Sequence, residues 1–267
     1  MIKSGATQSR IAVPNVWLGL FDDLARMFPF WYKKPKQPSV LVVIVYTSYK
    51  EYAKWLIDKV FDSLTYSEKV LLLVDEKTFP HITEHATGEE RAAAGRQVGI
   101  DYAREYNFDY ILFLDCDLQP PADVIEKLLE CKQDMAGGAT AARGDANNCI
   151  GHFYNNHTDK IRRPISKSLG LKILQVDGIG GCCLLVSRRI FEAVDYEGYR
   201  GPDTIAGRFT ADDEYFQIKA YERFGVVPYV NFEVRPWHYD SNGYAYKLWG
   251  DKKYWKVNPE AAFNSDK

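Results

Sequence analysis

Between Ser39 and Lys132 the sequence alternates three times between a short apolar run and a longer stretch of helical periodicity, and few folds accept that alternation. The first run, "SVLVVIVY" (39–46), has the β-branched content of a strand covered on both faces. Residues 51–64 then place Ala53, Leu56, Ile57, Val60 and Phe61 on one stripe, as an amphipathic helix requires. "KVLLLVD" reads as a second buried strand ending at Asp75, residues 89–106 as a second helix, and "YILFLD" as a third strand. "PADVIEKLLECK" reads as a third helix with Pro121 in its first turn. Repeated strand-helix units of this kind imply a parallel sheet with right-handed crossovers, and ligands of such sheets gather at the carboxyl ends of the strands. Tyr46, Asp75 and Asp115 all lie there.

The third strand runs directly into paired negative charge: "ILFLDCDLQPP" delivers Asp115 and Asp117 to the open edge of the sheet. Two carboxylates so placed suit a hard divalent cation, which in turn neutralises a diphosphate. An Asp-x-Asp occurs about once by chance in a chain of this length, and a solvated turn is its plain alternative; the position at a strand end is what favours metal. Cys116 lies between them with no His or Cys nearby at zinc-ligand spacing, so it reads as filler.

Composition narrows the remaining choices. A chain of 267 residues with 46% hydrophobic content buries a full core, so one catalytic-sized domain with appendages is expected. A formal net charge of -2 supplies no overall positive field for a nucleic-acid partner. Five scattered cysteines and no cleavable signal peptide read as reduced thiols in a cytoplasmic protein, with Cys182 and Cys183 as packing residues. The longest purely apolar run, Val40 to Tyr46, is too short to cross a bilayer. In "NVWLGLFDDLARMFPFWYKKPK", Trp17, Leu20, Phe21, Leu24, Met27, Phe28 and Trp31 recur at helical spacing, with Lys33, Lys34 and Lys36 behind them. Residues 16–36 therefore offer a helix for packing onto the domain, for self-association or for peripheral membrane contact; Pro29 disturbs its end, and packing is the reading preferred.

Several stretches together resemble the GT-A glycosyltransferases, particularly glycosyltransferase family 2 and its relatives. "VIVYTSYKEYAKWLIDKVFDSL" is similar to the family's first strand, turn and helix, and "KVLLLVDE" to its second strand with a nucleotide-contacting aspartate. "AGRQVGIDYAREYNFDYILFLDCD" resembles the Ala-Arg-Asn helix leading to the metal motif. "VDGIGGCCLLVSRRIFEAV" resembles the glycine-rich strand near the acceptor, and "TADDEYFQIKAYERFGVVPYVNFEVRPWHYD" the acidic helix start followed by a distal histidine. The match spans roughly residues 39–240. Two departures stand out: Gly95-Arg96-Gln97 replaces Ala-Arg-Asn, and Asp212-Asp213 replaces Glu-Asp.

The resemblance implies an α/β fold of GT-A type, a mostly parallel central sheet flanked by helices, with a Rossmann-like nucleotide-sugar half (39–120) and an acceptor half (121–240). Residues 1–38 would form an extension and linker, and 241–267 a tail that either closes over the diphosphate or packs as an extension. The implied activity is transfer of a sugar from a nucleoside diphosphate-sugar to a hydroxyl of a glycan, lipid or protein, aided by Mn2+ or Mg2+. Asp117 would hold the ion, with Asp115 and, as third ligand, His238. Arg96 would contact phosphate or ribose, or else pair with Glu89 or Glu90 at the surface. Asp75 would meet base or ribose, or serve an ordinary strand-end turn; Thr47, Ser48 and Tyr49 would contact the base or cap the following helix.

On the acceptor side, Gly178, Gly180 and Gly181 would let substrate approach backbone, or mark a bulged strand. Asp212 joins them there, and Asp213 is either the base of an inverting transfer or, spaced as a capping box from Thr210, a structural residue. Retaining transfer, a nucleotidyltransferase and a non-catalytic binding module remain as alternatives. Against the second, "YTSYKE" stands where a Gly-rich phosphate loop would follow the first strand.

Overall fold

In a computed structural model the chain is described at residues 2–4, 10–11, 37–46, 51–75, 78–84, 87–142, 145–154, 162–164, 171–196, 212–240, 242–250 and 252–254. The apolar stripe of residues 16–36 and the turn Thr47–Ser48–Tyr49 lie outside these segments, as does Thr210. Two short strands, β1 (Ile2–Ser4) and β2 (Arg10–Ile11), precede β3 (Val40–Tyr46), α1 (Glu51–Ser63), β4 (Lys69–Asp75), α2 (Gly88–Glu105) and β5 (Tyr110–Leu114). As the alternation predicts, these strands are parallel; β3 lies between β4 and β5.

The two-residue period of these strands sorts the core into two layers. Val40, Val42 and Ile44 of β3 join Leu112 and Leu114 of β5 beneath Leu56, Ile57, Val60 and Phe61 of α1. Leu41, Val43, Ile111 and Phe113 face the other way, packing with Ala93, Ile100 and Ala103 of α2. Thr87 starts α2 with a capping box: its side chain accepts the Glu90 N–H at 3.1 Å, and the Glu90 carboxylate accepts the Thr87 N–H at 2.7 Å. Gly95 and Gly99 allow α2 to lie directly on β3, because a Cβ at Gly95 would stand 2.6 Å from a Val45 methyl and one at Gly99 2.7 Å from both methyls of Val43. That contact is the physical reason for glycine where the family resemblance expects alanine.

Beyond β5 come β6 (Leu118–Gln119) and α3 (Val124–Leu129). The helix expected over 121–132 is thus shorter and starts later, and Pro121 is not in its first turn. Gln119 and Pro120 each precede a proline, which disfavours helical backbone, and the Val124 N–H closes a turn on the Pro121 carbonyl. The chain continues through β7 (Met135–Gly138), β8 (Ala141–Ala142), β9 (Asp145–Cys149), β10 (Gly151–Tyr154), β11 (Arg162–Pro164) and β12 (Ile173–Gln175). Next are β13 (Gly178–Ile179), β14 (Cys183–Ser187), α4 (Arg188–Phe191), α5 (Asp212–Phe224), β15 (Tyr229–Asn231), β16 (Trp237–Tyr239), β17 (Tyr244–Lys247) and β18 (Lys252–Tyr254).

The main sheet has the order β12-β15-β7-β14-β5-β3-β4-β1-β2. Strands β2, β3, β4, β5, β7 and β15 point one way, whereas β1, β12 and β14 run against them. The result is an α/β fold around a mostly parallel, mixed sheet. Antiparallel β14 enters between β5 and β7 and brings the glycine-rich run beside the strand that ends in Asp115. A second sheet, β18-β17-β16-β6, builds the described part of the tail onto the residues that follow Asp117. Among the described residues, no helix is long and apolar enough to cross a membrane.

The close approach of α2 has a measurable consequence. Alanine at position 99 gains about 1 kcal/mol in helix propensity but faces an overpacking cost of about 1–3 kcal/mol, and leucine enlarges only the cost. Gly99→Leu is expected to lower Tm by several degrees in thermal denaturation. Gly88→Ala, whose Cβ meets nothing within 4 Å, should leave Tm unchanged or raise it.

Candidate functional site

The end of β5 is fixed from two sides. Asp115 donates its N–H to the Cys182 carbonyl at 2.8 Å, and the Leu118 N–H returns to the Asp115 carbonyl at 3.2 Å, closing a turn. Within this turn Asp117 is buried at 4% exposure, while Asp115 stays partly open. Arg96 reaches across from α2: its Nη2 donates to Asp115 Oδ1 at 2.9 Å, its Nη1 to the Tyr196 hydroxyl at 3.3 Å, and its Cζ lies 5.3 Å from the Tyr196 ring centre. Arg96 is buried and faces the strand end, while the Glu90 carboxylate is engaged at the helix cap.

Gly181 sits where these groups meet. A Cβ there would stand 2.7 Å from the Tyr196 hydroxyl, 3.0 Å from Asp213 Cβ and 3.3 Å from Arg96 Cζ. Its N–H donates to Asp213 Oδ2 at 2.7 Å, and Asp213 Oδ1 accepts the Glu214 N–H at 2.8 Å. Gly180 packs against Ile150, and its N–H bonds the Ile150 carbonyl at 2.9 Å; Gly178 pairs within β13 opposite His152 of β10. Asp212 is the first residue of α5, and its side chain is outside the description, as is Thr210, the other half of the capping box weighed for Asp213.

His238 arrives on β16, buried at 4% exposure. Its Nδ1 lies 2.8 Å from the Ala141 carbonyl, which makes Nδ1 the donor, and its Nε2 lies 3.6 Å from Asp117 Oδ1. Residues 121 positions apart in sequence thus face each other. Among the described residues, no group of three or more His, Cys, Asp or Glu side chains is assembled to hold a metal. Asp75 ends β4 opposite Tyr46, and its Oδ1 accepts the Thr78 N–H at 2.8 Å, the geometry of a strand-end turn.

Two residues of the site gave no motif signal. Tyr196 stacks on Phe216 of α5 at 4.7 Å and meets Phe113 of β5 edge-on at 5.4 Å, joining the two elements that carry Asp213 and Asp115. Gln217 is buried, four residues after Asp213 on the inner face of α5 beside Phe216 and Ala220. Its place on an apolar stripe was the one available clue.

Residues 40–195 match the model of glycosyl transferase family 2. The chain belongs to glycosyl transferase family 2. As in that family, its chemistry is glycosyl transfer, and the match covers Asp75, Arg96, Asp115, Asp117 and Gly181 but stops before Asp213 and His238. Among solved structures, this family 2 member is similar to A197 from STIV, at 15% identity and a TM-score of 0.52 over 81% of this chain and 93% of that one. TarS of S. aureus matches at 12% identity and a TM-score of 0.45, over 73% of this chain and 36% of that one. No curated protein matches the chain.

Cys182 and Cys183 pack in the core beside the site. Both are buried in the wall behind Asp115; burial pushes the Cys183 thiol up to about 12 and the Cys182 thiol well above its ordinary value. Cys149 is likewise pushed up to about 12 by burial. At pH 8 these thiols stay protonated and shielded, so a disulfide reagent is expected to label the half-buried Cys116 first and these three only on unfolding. Mass mapping of labelled peptides reads the order directly.

Proposed function

We propose that this family 2 glycosyl transferase moves a sugar from a nucleoside diphosphate-sugar to an acceptor hydroxyl with inversion, using Asp213 as base and Mn2+ or Mg2+ beside Asp117 and His238. The observation that carries the reading is the meeting at Gly181 of the Arg96–Asp115 pair from the nucleotide half with Asp213 from α5.

The main obstacle in such a transfer is charge on the departing diphosphate, and preorganised positive charge is the strongest remedy. Arg96 is held by Asp115 and Tyr196, so its guanidinium meets phosphate or ribose without first being ordered. The donor set beside it fits a divalent ion. With Nδ1–H directed at the Ala141 carbonyl, the His238 ring in its neutral form would present the Nε2 lone pair toward the Asp117 carboxylate, and two such acceptors 3.6 Å apart would hold a cation between them. A divalent ion held by Asp117 and His238 would supply Lewis-acid stabilisation of the departing diphosphate. Asp115, turned to Arg96, joins the nucleotide side or reaches the ion through water.

On the acceptor side, each Asp213 oxygen accepts one backbone N–H and keeps a further lone pair. The Gly181 bond aims the carboxylate toward the strand end, where it takes the proton of the attacking hydroxyl as the sugar transfers. The acceptor oxygen then bonds the anomeric carbon from the face opposite the diphosphate, which leaves with the former bonding pair.

Incubation with UDP-, GDP-, TDP- and ADP-sugars, a set of simple sugar acceptors and either ion tests the reading. Free nucleotide and a product of inverted anomeric configuration are expected. Asp117→Ala should abolish turnover in a folded protein, and Asp213→Asn should lower kcat by about 10²–10⁴-fold with donor KM and Tm nearly unchanged. Pyrophosphate release, full activity in chelator, or near-normal turnover by Asp213→Asn would contradict it.

A further inference from the structure

Gln217 pairs with backbone in the manner of a strand, although it lies in a helix. Its Oε1 accepts the Ile179 N–H at 2.9 Å, and its Nε2 donates to the Ile179 carbonyl at 2.5 Å and to the Asp213 carbonyl at 2.9 Å. Ile179 is in β13, whose other neighbour is β10, so the amide occupies an edge that a further strand would otherwise take. Two residues on, the Gly181 N–H bonds Asp213 Oδ2. One turn of α5, from Asp213 to Gln217, is therefore tied at both ends to one three-residue run of backbone, 179–181.

We propose that Gln217 is a positioning residue that sets the direction of the Asp213 carboxylate. The inference rests on the reading of Asp213 as the base. It follows from what each tie controls. The Gly181 bond alone would let α5 pivot about Asp213, because one hydrogen bond fixes a distance but leaves rotation free. The Gln217 amide is planar and pairs both backbone groups of one residue, so it fixes rotation and register together. Its third bond, to the Asp213 carbonyl, holds the main chain from which the carboxylate projects. Gln217 is buried at 3% exposure, so water does not readily substitute for these bonds. Catalysis is sensitive to misplacement of about 1 Å, which loses up to about 10²-fold. A helix held by packing alone, through Phe216 and Ala220, would slide by such amounts.

The test compares two variants with a control in the full chain. Gln217→Met keeps the volume and loses all three bonds; Gln217→Glu keeps the acceptor but loses both donors. Asn231→Leu is the control: Asn231 is another buried amide, in β15, bonded to the Lys127 carbonyl at 2.8 Å and to the Glu233 N–H at 2.9 Å. With the nucleotide-sugar that the wild type turns over, both Gln217 variants are expected to lose about 10–10²-fold in kcat while donor KM stays within about two-fold. The control should lower Tm with kcat per folded molecule within about two-fold of the wild type.

Amide hydrogen exchange supplies a readout independent of turnover: Gln217→Met should speed exchange at Ile179 and Gly181 by about ten-fold or more, with β3 unchanged. Should Gln217→Met fail to fold, Gln217→Glu carries both measurements. Wild-type kcat in a folded Gln217 variant, unchanged exchange at Gly181, or an equal kcat loss in Asn231→Leu would overturn the proposal. A wild type that turns over no nucleotide-sugar overturns the base assignment instead, and the Gly181 exchange still decides whether Gln217 sets the contact.

Discussion

A strand that ends in carboxylates inside a folded domain needs positive charge close by, and the placement of Arg96 answers that need at Asp115. The arginine enters from α2 because Gly95 and Gly99 let that helix rest on β3, so the guanidinium reaches the end of the neighbouring strand. A larger side chain at either glycine would lift the helix and withdraw the charge. Packing between helix and sheet and the electrostatics of the site are one constraint at this point. Gly181 repeats the logic: lacking a Cβ, it lets Tyr196, Asp213 and Arg96 close to contact around it.

Much of the stretch 39–120 was legible in sequence because its signals are local. Val40–Tyr46, Lys69–Asp75 and Tyr110–Leu114 are apolar runs bounded by amphipathic helices, and each folds where its pattern ends. The helix expected over 89–106 starts within a residue of α2, whose Thr87–Glu90 capping box fixes that end. The third helix starts later than expected because the chain turns after the two prolines, the Val124 N–H closing on the Pro121 carbonyl, before the pattern of "PADVIEKLLECK" is taken up as helix.

What sequence could not supply was pairing between distant segments. Nothing in "CCLLVS" announces that it runs antiparallel between β5 and β7, which makes the sheet mixed. The Asp117–His238 pair joins residues 121 positions apart, and the family resemblance rather than any spacing brings the histidine into view. Tyr196 and Gln217 were missed for the same reason. An aromatic near a glycine and a glutamine on an apolar stripe have meaning only once Phe113, Phe216 and Ile179 are seen around them. Asp75 shows the converse, a residue whose local turn geometry is as visible in the structure as its expected nucleotide contact is in the motif.

In the proposed reading a divalent ion and a nucleoside diphosphate meet at the end of β5, between Asp117 and His238 on one side and Arg96 on the other. A crystal grown with Mn2+ and the nucleoside diphosphate of the preferred donor, measured for anomalous scattering, tests it most directly. A manganese peak is expected within bonding distance of Asp117 Oδ1 and His238 Nε2, with Arg96 beside the diphosphate or ribose. A nucleotide bound elsewhere on the fold, or a manganese peak away from Asp117, would contradict it.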